Sequence, residues 1–266
     1  RKLSDSENGM LLNNDIGENR AIAGPGHHSF ITLNENGENK LLIAYHAHNN
    51  PNKYTGRHVR FDEVKWITVK DVNGNDLDVM HVNGPSYTVQ PTFGIGKEYG
   101  DITSAVVKSE LVRGSLAEKG TAYALTDGLI SYYNRVSQPF DGTYVKEVGA
   151  TVTSTFEITL DGAHDVRGIM FYNSKIKENM FQKIKDIAFI TEENGAEKIY
   201  LIKELLVNKN TAYFYSELND EFYPIYGGSV YADFDAISVK KIRFTVEVPE
   251  GQKVAAVSEV AIVGKK

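Results

Sequence analysis

The chain contains no cysteine, so disulfides and thiolate metal sites are excluded from the start. Proline is scarce at 7, tryptophan occurs once, and no apolar run is long enough for a membrane-spanning helix. Excess positive charge is also missing. Lys and Arg total 29 against 35 Asp and Glu, giving a net charge of −6, and the only basic cluster is the short VKKIRF near the end. A nucleic-acid surface, which needs a clustered positive face, is therefore not expected. No signal peptide with an apolar middle is visible, and the first residue is Arg, which suggests a removed leader or a piece of something longer.

What is present is strand material. Hydrophobic residues make up 41% and charged residues 24% of 266 residues, an ordinary balance for a folded chain able to bury a sizeable core. Apolar or alternating runs such as SFITL, KLLIAYHA, TSTFEITL, VRGIMFYN and KIRFTVEV recur between turn clusters such as NENGEN, DVNGND and TEENGAE. Fifteen Tyr and twelve Phe suit pleated surfaces, so the fold is predicted to be all-β. Helical periodicity is limited to 102–114 and 174–186, and the alternative for each is a loop with a single helical turn. The stretch 84–100, with two prolines, four glycines and no clear period, marks a boundary. Two units are expected, residues 1–90 with strands at 29–33, 40–47 and 58–66, and residues 91–266 with many short strands spaced as in a two-sheet sandwich.

The first unit poses a packing problem. In KLLIAYHA, Leu41, Ile43, Tyr45 and Ala47 fall on one face and Leu42, Ala44 and His46 on the other, so both alternation sets are largely apolar. Such a strand is covered on both sides. Three strands within ninety residues cannot supply two covering layers. Either the second unit packs on this sheet or the sheet belongs to a repeating architecture.

The turn GPGHHS (24–29) leads into a strand, YHA (45–47) follows about twenty residues later, and GRHVR (56–60) runs on to Trp66. In this order and spacing they resemble the last blade of glycoside hydrolase family 43, five-bladed propeller enzymes that cleave arabinose- and xylose-containing glycans. The resemblance covers residues 20–85. It implies that His27 lies at the propeller's central channel beside the active site, facing a calcium ion or its water shell, and that Arg57 and Arg60 make fixed salt bridges nearby; solvated or structural arginines are the equal alternative. The plainer reading is that His27 and His28 satisfy backbone groups at a turn. His46 and His48 lack a third ligand at a metal-site spacing. DVNGND has Asp76 where a calcium loop needs glycine, so it reads as a turn.

Glycoside hydrolysis needs a general acid and a second carboxylate flanking the bond. In the family these come from earlier blades, and the nineteen or so residues before the resemblance are too short to hold one. Asp5, Glu7, Asp15 and Glu18 are present, but nothing assigns them; no catalytic residue is named, and the missing N-terminal blades become an expected partner.

The second unit opens with YALTDGLISYY (123–133), continues through GAHDVRGIMFYNS (162–174) and closes with KVAAVSEVAIVG (253–264). These resemble the galactose-binding-like sandwiches of the coagulation factor 5/8 C-type, or discoidin, family. That family implies a structural calcium bracketed by Asp127 and Glu259 with backbone carbonyls; alternatively Asp127 caps its own turn and Glu259 faces solvent. Sugar binding would use aromatic faces among Tyr132, Tyr133, Phe140, Tyr144 and Tyr172, or the YPIYGGSVYADF stretch, although aromatics at strand spacing usually belong to a core. The combined expectation is a partial β-propeller (last blade) plus a β-sandwich jelly-roll module that binds carbohydrate or braces the propeller, part of a secreted or periplasmic glycoside hydrolase acting on arabinose- or xylose-containing plant cell-wall glycan. The alternative is a non-catalytic carbohydrate-binding or adhesion protein. Neither a nucleic acid nor a membrane is expected as a partner.

Overall fold

A computed structural model describes residues 22–35, 38–49, 56–70, 73–91, 98–117, 121–130, 147–193, 196–208, 213–216 and 220–266. Asp5, Glu7, Asp15, Glu18, Tyr132, Tyr133, Phe140 and Tyr144 lie outside them. Fourteen strands run in chain order: β1 (Ile22–Glu35), β2 (Glu38–Asn49), β3 (Arg57–Lys70), β4 (Asp76–Val82), β5 (Tyr99–Asp101), β6 (Val106–Arg113), β7 (Val148–Ala150), β8 (Ser154–Asn173), β9 (Lys183–Glu193), β10 (Ala196–Leu206), β11 (Tyr213–Ser216), β12 (Glu221–Pro224), β13 (Ser229–Val246) and β14 (Ala255–Lys265). The described chain is all-β with three short 3-10 turns. Neither 102–114 nor 174–186 forms a full helix, and each holds the single helical turn that was the alternative. Residues 103–105 form a 3-10 turn that enters β6, and 177–179 form another ahead of β9. Both segments bond to neighbouring strands, β6 to β8 and β9 to β13, and that pairing overrides a weak local period.

The first sheet is an antiparallel meander in the order β1-β2-β3-β4. Its fourth strand escaped the sequence reading because DLDVMHV mixes aspartates and a histidine into the apolar alternation. One face carries Ile43, Tyr45, Ala47, Val64 and Val82, and the β11-β12 hairpin of the second unit covers it with Phe214 and Tyr223, together with Ile225. The second unit thus supplies one of the two covering layers that KLLIAYHA demanded. On the opposite face Leu42 is buried, yet Val59 is 71% and Phe61 45% exposed, with Ile31 exposed beside them.

The second unit is a β-sandwich made from one continuous ladder, β10-β9-β13-β8-β14-β5, with β6 added on β8 and β7 on β14. Strands β8 and β13 belong to both layers. Their first pairing, Ser154–Thr159 against Lys241–Val246, lies in one layer; the second, Gly168–Tyr172 against Ser229–Asp233, lies in the other. Between them the register shifts twice, at Asp233/Ile237 and Val239/Lys241, and these bulges bend the strands through the corner. The core closes between the layers, where the Phe171 ring meets Phe244 edge-on at 4.9 Å and Phe244 stacks on Phe156 at 5.5 Å. Tyr172, expected as a possible sugar platform, points away from this core but is fully buried in a cluster with Ile130, Met170 and Ala261. Its ring is closed to any ligand, as packing of the outer face beneath the 121–130 loop requires.

Candidate functional site

Because β8 and β13 fold over at one end of the sandwich, their free ends and the loops 174–182 and 247–254 gather at the other. There they border a cleft of about 700 Å³ lined by residues including Lys177, Gln182, Asn208, Tyr213, Glu250 and Gln252. This size lies within the usual range for a small-molecule site. The walls are held from beneath. Asn173 accepts the backbone N–H groups of Ser174 and Phe181, each at 2.9 Å, and its amide donates to the Phe181 carbonyl at 2.9 Å. Glu147 accepts from the Ser174 hydroxyl at 2.7 Å and from the Lys175 N–H at 2.9 Å. On the second wall, Gln252 donates its N–H to the Pro249 carbonyl, closing a turn that places Gly251 at φ 82°.

Two of the cleft's four charged lining residues, Lys183 and Glu247, pair with each other, and Lys177 and Glu250 line it as well. Glu247 accepts from Lys183 at 2.9 Å and from Lys185. Hydrogen bonds from the two lysines hold the Glu247 carboxyl below its ordinary range, and the same contact raises Lys185. The amides of Gln182, Asn208 and Gln252 and the ring and hydroxyl of Tyr213 offer donors, acceptors and an apolar face to a hydroxyl-rich ligand. Sequence reasoning missed this site because its residues come from four separate loops and strand ends. The cross-strand pattern YFYS…EFYP was the available signal for the hairpin that borders it.

The residues singled out by sequence fall into two other places. Asp127 and Glu259 converge on one loop: Glu259 accepts the Gly128 N–H at 3.0 Å, and Asp127 accepts the Leu129 N–H at 3.0 Å. Glu259 is buried on the outer face of its layer, not directed to solvent. The first sheet grips the same loop. Asn83 accepts the Ile130 N–H at 2.7 Å and donates to the Gly128 carbonyl at 2.9 Å, while a His81 ring nitrogen lies 3.1 Å from the Ile130 carbonyl. Among the described residues, no group of three or more His, Asp or Glu side chains could hold a metal ion. The two carboxylates are the type of oxygen ligand that calcium takes, while the Gly128 and Ile130 carbonyls are engaged by Asn83 and His81.

A polar cleft of about 300 Å³ adjoins this loop, lined by Lys40, Glu63, Lys65, Asp101 and Asp127 among others. Burial pushes the Glu63 carboxyl up; Lys65 opposes that shift and Asp101 adds to it.

His27 and Arg57 are brought together on the open face of the first sheet. Two register shifts near Gly26 leave His27 in a bulge at φ 53°, which turns its ring onto His46 with centroids 5.6 Å apart. Arg57 pairs across the strands with His48, whose Nδ1 lies 3.0 Å from the Gly56 carbonyl. Partial burial, then Arg57, His27 and His48, lower the His46 pKa. His28 meets Phe30 edge-on. Arg60 departs from the expected salt bridge: its guanidinium donates to the Ser86 carbonyl at 2.7 Å and to the Asn49 side chain, fastening the connector after β4. Asp76 opens β4 after a turn at Asn73 and Gly74, the latter at φ 80°, while the first two residues of DVNGND lie outside the described residues.

No family model matches the chain. No curated protein matches it either. Among solved structures, the chain is similar to the family 32 carbohydrate-binding module of NanJ from C. perfringens in complex with galactose, at 15% identity and a TM-score of 0.41 over 62% of this chain and 98% of that one. It is also similar to a family 32 module bound to GalNAc, at 12% identity and a TM-score of 0.40 over 58% and 95%. A third is the C-terminal domain of a chitobiase from Bacteroides fragilis, at 11% identity and a TM-score of 0.37 over 60% and 96%.

Proposed function

We propose that this chain binds carbohydrate through the cleft at the open end of its sandwich. The observation that carries the reading is the cleft itself, about 700 Å³, braced from below and lined by three amides and an aromatic ring, with Lys183 and Glu247 paired within it. Sugars present many hydroxyls, and such a wall offers them both donors and acceptors beside an aromatic face. Calorimetric titration of the pure chain with galactose, arabino-oligosaccharides and xylo-oligosaccharides tests it. Binding that Gln182→Ala and Asn208→Ala together weaken supports the cleft; no heat with any of these sugars would overturn it.

The first sheet is read as one blade of a family 43-type propeller, and the chain as the substrate-holding part of a secreted or periplasmic hydrolase of plant cell-wall glycan. The four-stranded meander has the strand order of a propeller blade, and its open face with Ile31, Val59 and Phe61 is the kind that a neighbouring blade covers. In that setting His27 and Arg57 sit near the active site and the catalytic carboxylates lie on other blades. Hydrolysis of an aryl arabinofuranoside by this chain alone would contradict that division of labour.

Calcium belongs to the same reading. Asp127 and Glu259, with carbonyls of the 126–130 loop, would hold it, and its charge would tie that loop to the last strand. A rise in melting temperature with calcium, abolished by EDTA and by Glu259→Gln, is the expected result; equal melting with and without the ion would remove calcium from the account.

A further inference from the structure

The β11-β12 hairpin has two faces with different fates. Phe214 and Tyr223 pack onto the first sheet, their rings 5.9 Å apart. The opposite face carries two cross-strand pairs, Tyr213 with Pro224 and Tyr215 with Phe222, because residues two apart on a strand share a side. The first pair lines the sandwich cleft. The second lies one step farther out, about 7 Å along the strands, and is open to solvent: Tyr215 is 42% and Phe222 44% exposed, with ring centroids 5.2 Å apart. The Tyr215 hydroxyl donates to Asp220, whose φ of 55° turns it back over the strand, so the ring is held in place before any ligand arrives.

We infer that this outer hairpin face is a stacking platform that continues the cleft, so that the ligand is a neutral oligosaccharide of several units and not a single sugar. The inference rests on the carbohydrate reading of the cleft. Aromatic rings in line with a hydroxyl-binding cleft match the alternation of C–H faces and hydroxyl edges along a glycan chain. Rings at such a site gain by dispersion and area burial and require no charge from the ligand. Among the described residues of the hairpin tip, the carboxylates of Asp220 and Glu221 are engaged with the hydroxyls of Tyr215 and Tyr223. A glycan also suits this surface better than an apolar partner, because the platform is two rings wide and bordered by carboxylates.

The test uses the whole chain and a ladder of arabino-, xylo- and galacto-oligosaccharides from one to six units, followed by calorimetry. Affinity is expected to rise with length and then level off. Tyr215→Ala with Phe222→Ala should lower hexasaccharide affinity about tenfold and leave monosaccharide binding unchanged, while Tyr215→Phe keeps the length dependence. Both rings are exposed, and an unaltered thermal melt of each variant confirms that the fold is intact. Binding that is independent of length, or a length dependence untouched in the double variant, overturns the platform and leaves the cleft standing. Absence of binding by every sugar overturns both.

Discussion

Asn83, one residue beyond the last strand of the first sheet, accepts the backbone N–H of Ile130 at 2.7 Å, a bond spanning 47 residues of sequence. The same side chain donates to the Gly128 carbonyl, so one amide satisfies both directions of a buried loop. Farther along the connector, Thr88 accepts the Ser229 N–H at 2.8 Å, and the Ser229 hydroxyl donates to the Val89 carbonyl at 2.5 Å. These contacts join the two sheets through satisfied polar groups, whose loss is costly because the partners stay buried.

Asn83→Ala strands the Ile130 N–H and the Gly128 carbonyl. A loss of about 2–3 kcal/mol is expected. Trp66 is the only tryptophan and sits on β3, so its fluorescence reports the first sheet while circular dichroism reports the whole chain. In urea the two signals should coincide for the native chain and separate for Asn83→Ala. Separate transitions already present in the native protein would show that the connector does not couple the sheets.

Asp62 is fully buried and accepts from the Tyr45 hydroxyl at 2.6 Å and from the Ser86 N–H and Gln90 amide, each at 3.2 Å. Burial outweighs these donors and pushes its pKa up to about 6. A group raised in the folded state contributes stability that is fully present below its unfolded value and is lost as pH rises through the folded one. The chain should therefore gain on the order of 2 kcal/mol from this group between pH 7.5 and pH 4.5. Asp62→Asn should remove that part of the slope in denaturant titrations at several pH values; an unchanged slope would assign it elsewhere.

Gly84 has no room for a side chain. A methyl there would fall 2.6 Å from the Asp62 carboxyl carbon and closer still to one oxygen. Gly84→Ala should displace Asp62, release Ser86 and lower the melting temperature by several degrees, about 1–3 kcal/mol. A melt within a degree of the parent would mean that the connector shifts at little cost.

The open face of the first sheet should drive association. Val59→Lys with Phe61→Lys places charge on the exposed apolar patch and is expected to shift light-scattering mass toward the monomer. A parent chain that is monomeric at all concentrations would end this expectation.

Much of the strand content was legible. SFITL, KLLIAYHA and HVRFDEVKW lie inside β1, β2 and β3, and TSTFEITL with VRGIMFYN proved to be two halves of the single strand β8. Their separation in the sequence reading came from LDGAHD, whose turn-forming residues bend the strand at the corner without ending it. That Asp127 and Glu259 meet at one loop was implied only by the family resemblance carried on YALTDGLISYY and KVAAVSEVAIVG, and their bonds to the Gly128 and Leu129 N–H groups leave the calcium role open to the test above. The open-end cleft was not legible, since Lys183, Asn208, Tyr213 and Gln252 meet only after the strands fold over. Tyr172 failed for a related reason: alternation shows that it leaves the inner core, but not that the loop ending at Ile130 packs over its outer side.

The shared strands β8 and β13 have a mechanical consequence. A sandwich built from two separate sheets can slide or split along its apolar seam, whereas here two continuous ribbons wrap from front to back like a folded belt. Pulling the layers apart would mean unthreading both ribbons at the bend, so the mouth opposite that bend keeps its width, and whatever it holds meets walls of fixed spacing.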